Sequence, residues 1–499
     1  LQKNSNNLIS ASGILMPISS IPSNYGIGCF DKYAYEFVDK LSKAGQKYWQ
    51  ILPLGPTGYG DSPYQSFSTY AGNPYYISLD ELINEGLLTK EECDSVDFGS
   101  GNYVDYKKIF DGRFKILRKA YERSNIAEND DFNKFKYING YWLNDYALYM
   151  AVKDFFAGKE WTKWPEDIRL RYGYALDYYR RELYFDIEFY EFMQYKFWNQ
   201  WYKLKSYANE KGIKIIGDIP IYVAFDSADT WANPNLFQLD NENKPVAVAG
   251  CPPDGFSATG QLWGNPLYDW NYHRNTGYEW WVKRIEYCYY AYDVVRIDHF
   301  RGFDEYYSIP YGSTTAIDGH WEKGPGMELF NTINYRLGHK EIIAEDLGYL
   351  TDSVRQLVKD STYPGMKVFE FAFDSRDSSS ANDYLPHNYT DNCIVYTGTH
   401  DNETLMGWFK SIKPEEKNML LKYIHSKSEK DSDILDDCIC AVMGSVAKTC
   451  IIPIQDWLGL DNSARINTPS TLGNNWKWRL DRNQFTEELS NKILDITRI

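Results

Sequence analysis

Four acidic residues stand at the C-terminal ends of short apolar runs. Asp218 follows Ile213-Lys-Ile-Ile-Gly217, and Asp298 follows Tyr292-Asp-Val-Val-Arg-Ile297. Glu345, with Asp346 behind it, follows Glu341-Ile-Ile-Ala344, and Asp401 closes Asn392-Cys-Ile-Val-Tyr-Thr-Gly-Thr-His400. A single such acid has an ordinary explanation as the N-cap of the next helix. Several at the same end of successive runs converge if the runs are parallel strands of one barrel, which keeps its chemistry at that end. Clustered carboxylates there serve either a metal or paired acid/base work. His299 and His400 lie beside two of them and suit both uses. The acids lack metal-ligand spacing, and their surroundings are aromatic, which suits a sugar better than a hydrated ion. Two carboxyl groups flanking a glycosidic bond, one ionised and one protonated, are the working parts of glycoside cleavage.

The run ending in Asp298 carries the most information. Side chains alternate across a strand, so Val295 and Ile297 share one face and Arg296 and Asp298 the other. An Arg and an Asp at the end of a buried strand are costly unless they pair or work. The adjacent guanidinium would hold Asp298 ionised, as a nucleophile requires. A buried structural ion pair is the alternative.

The elements that must position these residues follow from the rest of the chain. Its 499 residues suit a large barrel with insertions. With 43% hydrophobic and 24% charged residues it is an ordinary globular mixture. A net charge of -16 argues against a nucleic-acid partner. Its 43 Tyr and 16 Trp provide either core or stacking surfaces for sugar rings. The eight cysteines show no CxxC pair and imply a reducing compartment, which is the cytoplasm. A plastid after removal of a transit peptide is the alternative. No run approaches membrane-spanning length, and no signal peptide is expected, although a removed leader stays open because the chain does not begin with Met. The acidic turn Asp240-Asn-Glu-Asn243 lacks the glycine and closing Glu of a calcium loop.

Eight strands are expected, at 47–53, 75–79, 213–218, 292–298, 341–346, 366–373, 392–399 and 449–454. The segment before them, around Ser12–Pro17, reads as an irregular lead-in. Helical periodicity fills the intervals, as over Asp31–Ala44 and Met327–Leu337, so the repeating unit is strand then helix. The fold class expected is a single interrupted (β/α)8 TIM barrel over residues 1–499. A mainly helical subdomain is inserted at 82–211. A loop-rich one at 223–290 lines the cleft. There the stiff loop Gly250–Phe256 suits a roof over the reacting sugar, keeping water out.

Three blocks, Val294-Val-Arg-Ile-Asp-His-Phe-Arg-Gly-Phe303, Ile343-Ala-Glu-Asp-Leu-Gly348 and Gly398-Thr-His-Asp-Asn-Glu-Thr404, closely resemble the catalytic blocks of the 4-α-glucanotransferases, glycoside hydrolase family 77. Trp49–Gln65 resembles the family's first barrel strand and following loop. Gly217–Val223, Pro252–Asp254, Gln261–Gly264 and Ala464–Pro469 match as well, so the resemblance runs from about Gly13 to Leu480. Ile18-Ser19 and Cys251 are minor departures from the pattern.

The resemblance implies that Asp298 is the nucleophile, Glu345 the general acid and base, and Asp401 the group that grips the distorted donor sugar. It implies sugar-binding roles for Arg296, His400, Asp218, Tyr64, Asp254, Phe256, Trp263, Asp346 and Asn467. The implied ligands are α-1,4-glucans, maltooligosaccharides and glucose. No metal, cofactor, nucleic acid or membrane is expected, and the chain is expected to be a monomer or weak homo-oligomer.

Overall fold

The computed structural model describes residues 11–255, 257–377 and 379–498. Its twelve strands are β1 (Ala11–Leu15), β2 (Tyr48–Gln50), β3 (Lys214–Pro220), β4 (Ala247–Cys251), β5 (Gln261–Pro266), β6 (Val294–Asp298), β7 (Glu305–Pro310), β8 (His320–Lys323), β9 (Ile342–Ala344), β10 (Gly365–Val368), β11 (Cys393–Tyr396) and β12 (Thr449–Pro453). Eight of them form one parallel sheet in the order β10-β11-β12-β1-β2-β3-β6-β9. The Ala344 N–H donates to the Pro364 carbonyl at 2.9 Å, which ties β9 to the start of β10 and closes the sheet on itself. α-Helices fill the crossovers that parallel pairing demands, except between β10 and β11, where 3-10 turns stand in their place. The architecture is a (β/α)8 barrel, and its strands are buried and apolar as both-sided cover requires.

Local sequence explains the elements. Asp31 caps the helix Lys32–Lys43 by accepting from the Tyr33 N–H, and the apolar stripe Ala34, Phe37, Val38, Leu41 faces the barrel. Residues 79–210 are helical apart from short connections, and the longest helix, Tyr184–Glu210, buries Phe192, Phe197, Trp201 and Leu204.

Two strand expectations are corrected. Residues 75–79 are not a strand. Asn73 accepts from the Tyr75 N–H and starts a 3-10 turn over Pro74–Tyr76, and the Ser78 hydroxyl accepts from the Glu81 N–H to cap the helix Leu79–Asn84. The alternating Tyr-Ile pattern there belongs to two caps back to back. The eighth strand is β1, inside the segment read as irregular. It makes β2 the second strand of the barrel, and Trp49–Gln65 the second strand and its loop. Gly13 explains the tight fit, because a Cβ there would stand 2.5 Å from the Cβ and carbonyl oxygen of Tyr48.

Residues 223–290 are also more ordered than a loop-rich reading allows. They contain β4, β5 and the helices Ala228–Ala232, Trp270–Asn275 and Glu279–Ala291. β4 and β5 join β7 and β8 in an antiparallel sheet of order β5-β4-β7-β8. β7 starts just after the short turn Phe300–Phe303 that follows β6, so this sheet is attached at the C-terminal mouth of the barrel.

Candidate active site

β6 delivers Arg296 and Asp298 to the barrel interior while Val295 and Ile297 pack away from it, fully buried. The Arg296 guanidinium does both things its position allows. One nitrogen donates to both Asp218 carboxylate oxygens at 2.9 Å, a buried pair with Asp218 wholly inside. The other lies 3.2 Å from Asp298 Oδ1. The structural ion pair and the electrostatic partner of Asp298 are thus the same arginine. Burial and the carboxylates of Glu345, Asp218 and Asp401 push the Asp298 carboxyl up to about 7, against the pull of Arg296.

β9 ends at Ala344, and the Glu345 N–H donates to the Ile297 carbonyl at 3.2 Å, so strand pairing carries Glu345 to the side of Asp298. Its carboxylate accepts from the His299 N–H and the Leu347 N–H, both at 2.8 Å. His299 has φ +56°, the left-handed region that costs a residue other than glycine about 1–3 kcal/mol. That turn directs the N–H next to Asp298 toward Glu345. Burial and the nearby Arg301 cation hold the His299 ring down at about 3, so it is neutral.

Asp401 follows β11 by way of a turn. Its Oδ1 accepts from Asn467 Nδ2 at 2.7 Å, and its Oδ2 lies 3.3 Å from His400 Nε2. Burial alone would raise the Asp401 carboxyl, but His400, Asn467 and Arg296 outweigh it and hold the group well below the usual carboxylate range. For His400 burial works downward, and Asp401 reverses it to a net upward shift. Tyr64, on the loop after β2, stacks on His400 with ring centres 5.0 Å apart and donates to Asp218 at 2.5 Å. The Asp298 and Asp401 side chains are 30% and 42% exposed, so both reach the open mouth rather than the sealed core.

Asp218, Arg296, Asp298, Glu345, His400, Asp401, Tyr64 and Asn467 therefore form one connected constellation. Trp263 on β5 borders it, packing edge-on against His299 at 4.9 Å. Asp346 turns to the barrel wall, where its carboxylate accepts from the Met366 N–H of β10 at 2.8 Å. Asp254 is exposed at the tip of the β4–β5 hairpin and accepts from the Ser257 N–H. Phe256 lies outside the described residues. Among the described residues no cluster of His, Cys, Asp or Glu has the makings of a metal site.

Two residues went unnoticed in the sequence. Arg465 donates to the Asp401 carbonyl at 2.7 Å and to the Asn467 carbonyl at 2.9 Å. Trp476 closes over Tyr64 and His400, with ring centres 5.8 and 6.0 Å away. Arg465 sits inside a motif block that flagged its neighbours. Trp476 had no signal beyond being aromatic.

A family model described as 4-alpha-glucanotransferase matches residues 16–484. A 4-alpha-glucanotransferase of Clostridium butyricum is 52% identical over 487 residues, covering 97% of this chain and 99% of that one. The chloroplastic/amyloplastic 4-alpha-glucanotransferase of Solanum tuberosum is 40% identical, covering 97% of this chain and 85% of that one. Among solved structures, amylomaltase from Streptococcus agalactiae in complex with acarbose superposes with a TM-score of 0.94 at 42% identity, covering 98% of each chain. With the constellation at the barrel mouth and these relatives matched along most of their length, the chain belongs to glycoside hydrolase family 77, the 4-α-glucanotransferases.

Proposed function

We propose that Asp298 is the nucleophile, Glu345 the general acid and base, and Asp401 the transition-state contact in transfer of an α-1,4-glucan segment to the 4-hydroxyl of an acceptor. The observation that supports this most is the 2.8 Å hydrogen bond from the His299 N–H to Glu345, which brings the Glu345 carboxyl beside the residue that follows Asp298. In the first half, the Asp298 carboxylate attacks the anomeric carbon while its bond to O4 breaks. Glu345 gives its proton to the departing O4. A β-glycosyl ester on Asp298 then holds the donor segment. In the second half, Glu345 takes the proton of the acceptor 4-hydroxyl and that oxygen attacks the anomeric carbon. The ester bond breaks and Asp298 returns as a carboxylate. Two inversions leave the α-configuration unchanged.

Asp401, ionised and held by Asn467, is suited to accept hydrogen bonds from donor-sugar hydroxyls as the ring distorts. Arg296, Asp218, Tyr64 and His400 line the same sugar. Trp263 and Asp254 are assigned to the glucan chain along the β4–β5 hairpin, Phe256 to the same chain on the family resemblance alone, and Asp346 to support of the wall beside Glu345. The ligands assigned are maltooligosaccharides, longer α-1,4-glucans and glucose, in the cytoplasm or, after loss of a transit peptide, a plastid.

Incubation with maltotriose tests the proposal. Transfer gives glucose together with chains longer than maltotriose, and Asp298→Asn gives neither. Products no longer than the substrate would replace the reading with simple hydrolysis, and turnover by Asp298→Asn would remove the nucleophile assignment.

A further inference from the structure

Asp401 stands on a loop that must be held to a fraction of an ångström, and the residue that closes this loop lies outside the site. We propose that Asp456, just after β12, is a positioning residue that fixes Asp401 by tying together both ends of residues 397–405. Thr397, the first residue after β11, donates its hydroxyl to Asp456 Oδ2 at 2.6 Å. The Leu405 N–H, where the chain re-enters a helix, donates to Oδ1 of the same carboxylate at 2.8 Å. All three residues are buried, Thr397 and Leu405 completely. One rigid group therefore sets the distance across which the Gly398–Thr404 turn must arch.

The same carboxylate sets where that turn sits relative to its partners. Asp456 leads directly into the segment that supplies Arg465 and Asn467, which hold the Asp401 carbonyl and carboxylate. Gln455 binds this segment down through the Ala464 carbonyl, and Asn462 accepts from the Thr404 N–H at 3.1 Å. Releasing Asp456 frees the loop to slide against the residues that grip Asp401. Beneath it, the buried Glu370 packs against Gly398, so closely that its Oε2 lies 2.2 Å from where a Cβ on Gly398 would be. That oxygen has no hydrogen-bond partner. A second buried acid thus fills the floor of the turn.

Asp456 has no cation among its interactions and keeps its carboxyl in the core on two hydrogen bonds, with burial pushing it up to about 6. An apolar residue there would fill the space but leave the Thr397 hydroxyl and the Leu405 N–H unpaired in the core. What an apolar residue could not do is bridge the two ends of the loop.

The inference rests on the assignment of Asp401 above, and the two fail differently. Steady-state kinetics on maltotriose are compared for Asp456→Ala, Thr397→Val, Asn467→Ala, the Asp456→Ala/Asn467→Ala pair and Asp401→Asn, each measured well below its own melting midpoint. Thr397→Val removes one end of the bridge at constant shape, so the test survives if Asp456→Ala does not fold. The expected result is a fall in kcat of about tenfold to 100-fold for Asp456→Ala and a smaller one for Thr397→Val, with KM little changed. Because both act through Asp401, the losses in the Asp456→Ala/Asn467→Ala pair fall short of multiplying. A kcat within about twofold of wild type for the folded Thr397→Val and Asp456→Ala enzymes, with only the melting midpoint lowered, overturns the proposal, as do fully multiplying losses. Near-normal kcat in Asp401→Asn instead overturns the role given to Asp401.

Discussion

Asp298 is caught between two demands. As the proposed nucleophile it must be ionised, yet burial and the acids around it push its carboxyl up to about 7. The ionised, active form therefore decays as pH falls through the neutral range. The acid limb of kcat/KM on maltotriose is expected near pH 7, and a limb near pH 4 would count against this account. The same shift has a stability consequence with a definite sign. The folded-state value lies above that of an unfolded Asp, about 4. The folded state thus binds more protons between the two values, and stability falls as pH rises through that window. Asn carries no charge to desolvate. Asp298→Asn should be more stable than wild type at pH 8, by a few kcal/mol at most, and the advantage should shrink toward pH 4. The same variant should lose activity by on the order of 10,000-fold or more. Urea unfolding at the two pH values checks the first statement. An equal or lower stability at pH 8 would mean that Arg296 stabilises the ionised carboxylate more than burial costs it.

At the scale of elements, what could be read from the sequence depended on whether the local signal and the tertiary role agreed. β3, β6, β9 and β11 were legible because apolar runs ending in acids mark both a strand and its working end. β1 was not, since Ala-Ser-Gly-Ile-Leu has little strand propensity and is a strand only because β2 and β12 pair with it on either side. Strand β8 was hidden for the opposite reason, being an exposed edge of His-Trp-Glu-Lys that resembles a loop. In the site, the motif blocks pointed to Asp401 and Asn467. Their contact, across 66 residues of chain, exists only in the fold. Gly13 is where the β1 account can be broken. A larger side chain there meets Tyr48 backbone and Ile451 at 2.5–2.8 Å. Strand backbone can yield only by parting the barrel. Gly13→Val should cost at least about 1–3 kcal/mol in urea unfolding while the folded fraction keeps its kcat, because β1 carries none of the reacting groups. An unchanged midpoint would show that β1 is not under compression.

Across the whole molecule the closed barrel makes a claim about cooperativity that the cysteines can report. Among them only Cys440 is exposed and Cys251 partly so; the other six are buried, on elements as far apart as β11, β12 and the helix Glu279–Ala291. Burial pushes every one of the eight thiols upward, which leaves little reactive thiolate at neutral pH. An aromatic disulfide reagent at pH 8 should therefore label Cys440 first and Cys251 slowly. The remaining six should follow only at the rate of unfolding. A closed barrel sheet leaves no strand free to peel away alone, so Cys393 on β11 and Cys450 on β12 should react in one phase, together with Cys288 on the helix packed against the barrel. In guanidinium without reductant all eight should react, since none is paired. Labelling of Cys393 and Cys450 ahead of Cys288 would locate a weak seam on the β11–β12 side. That result would matter for the proposed function, because the loop carrying Asp401 rises from β11 and is tied down just beyond β12, so a soft seam there would loosen the contacts that hold Asp401 in place.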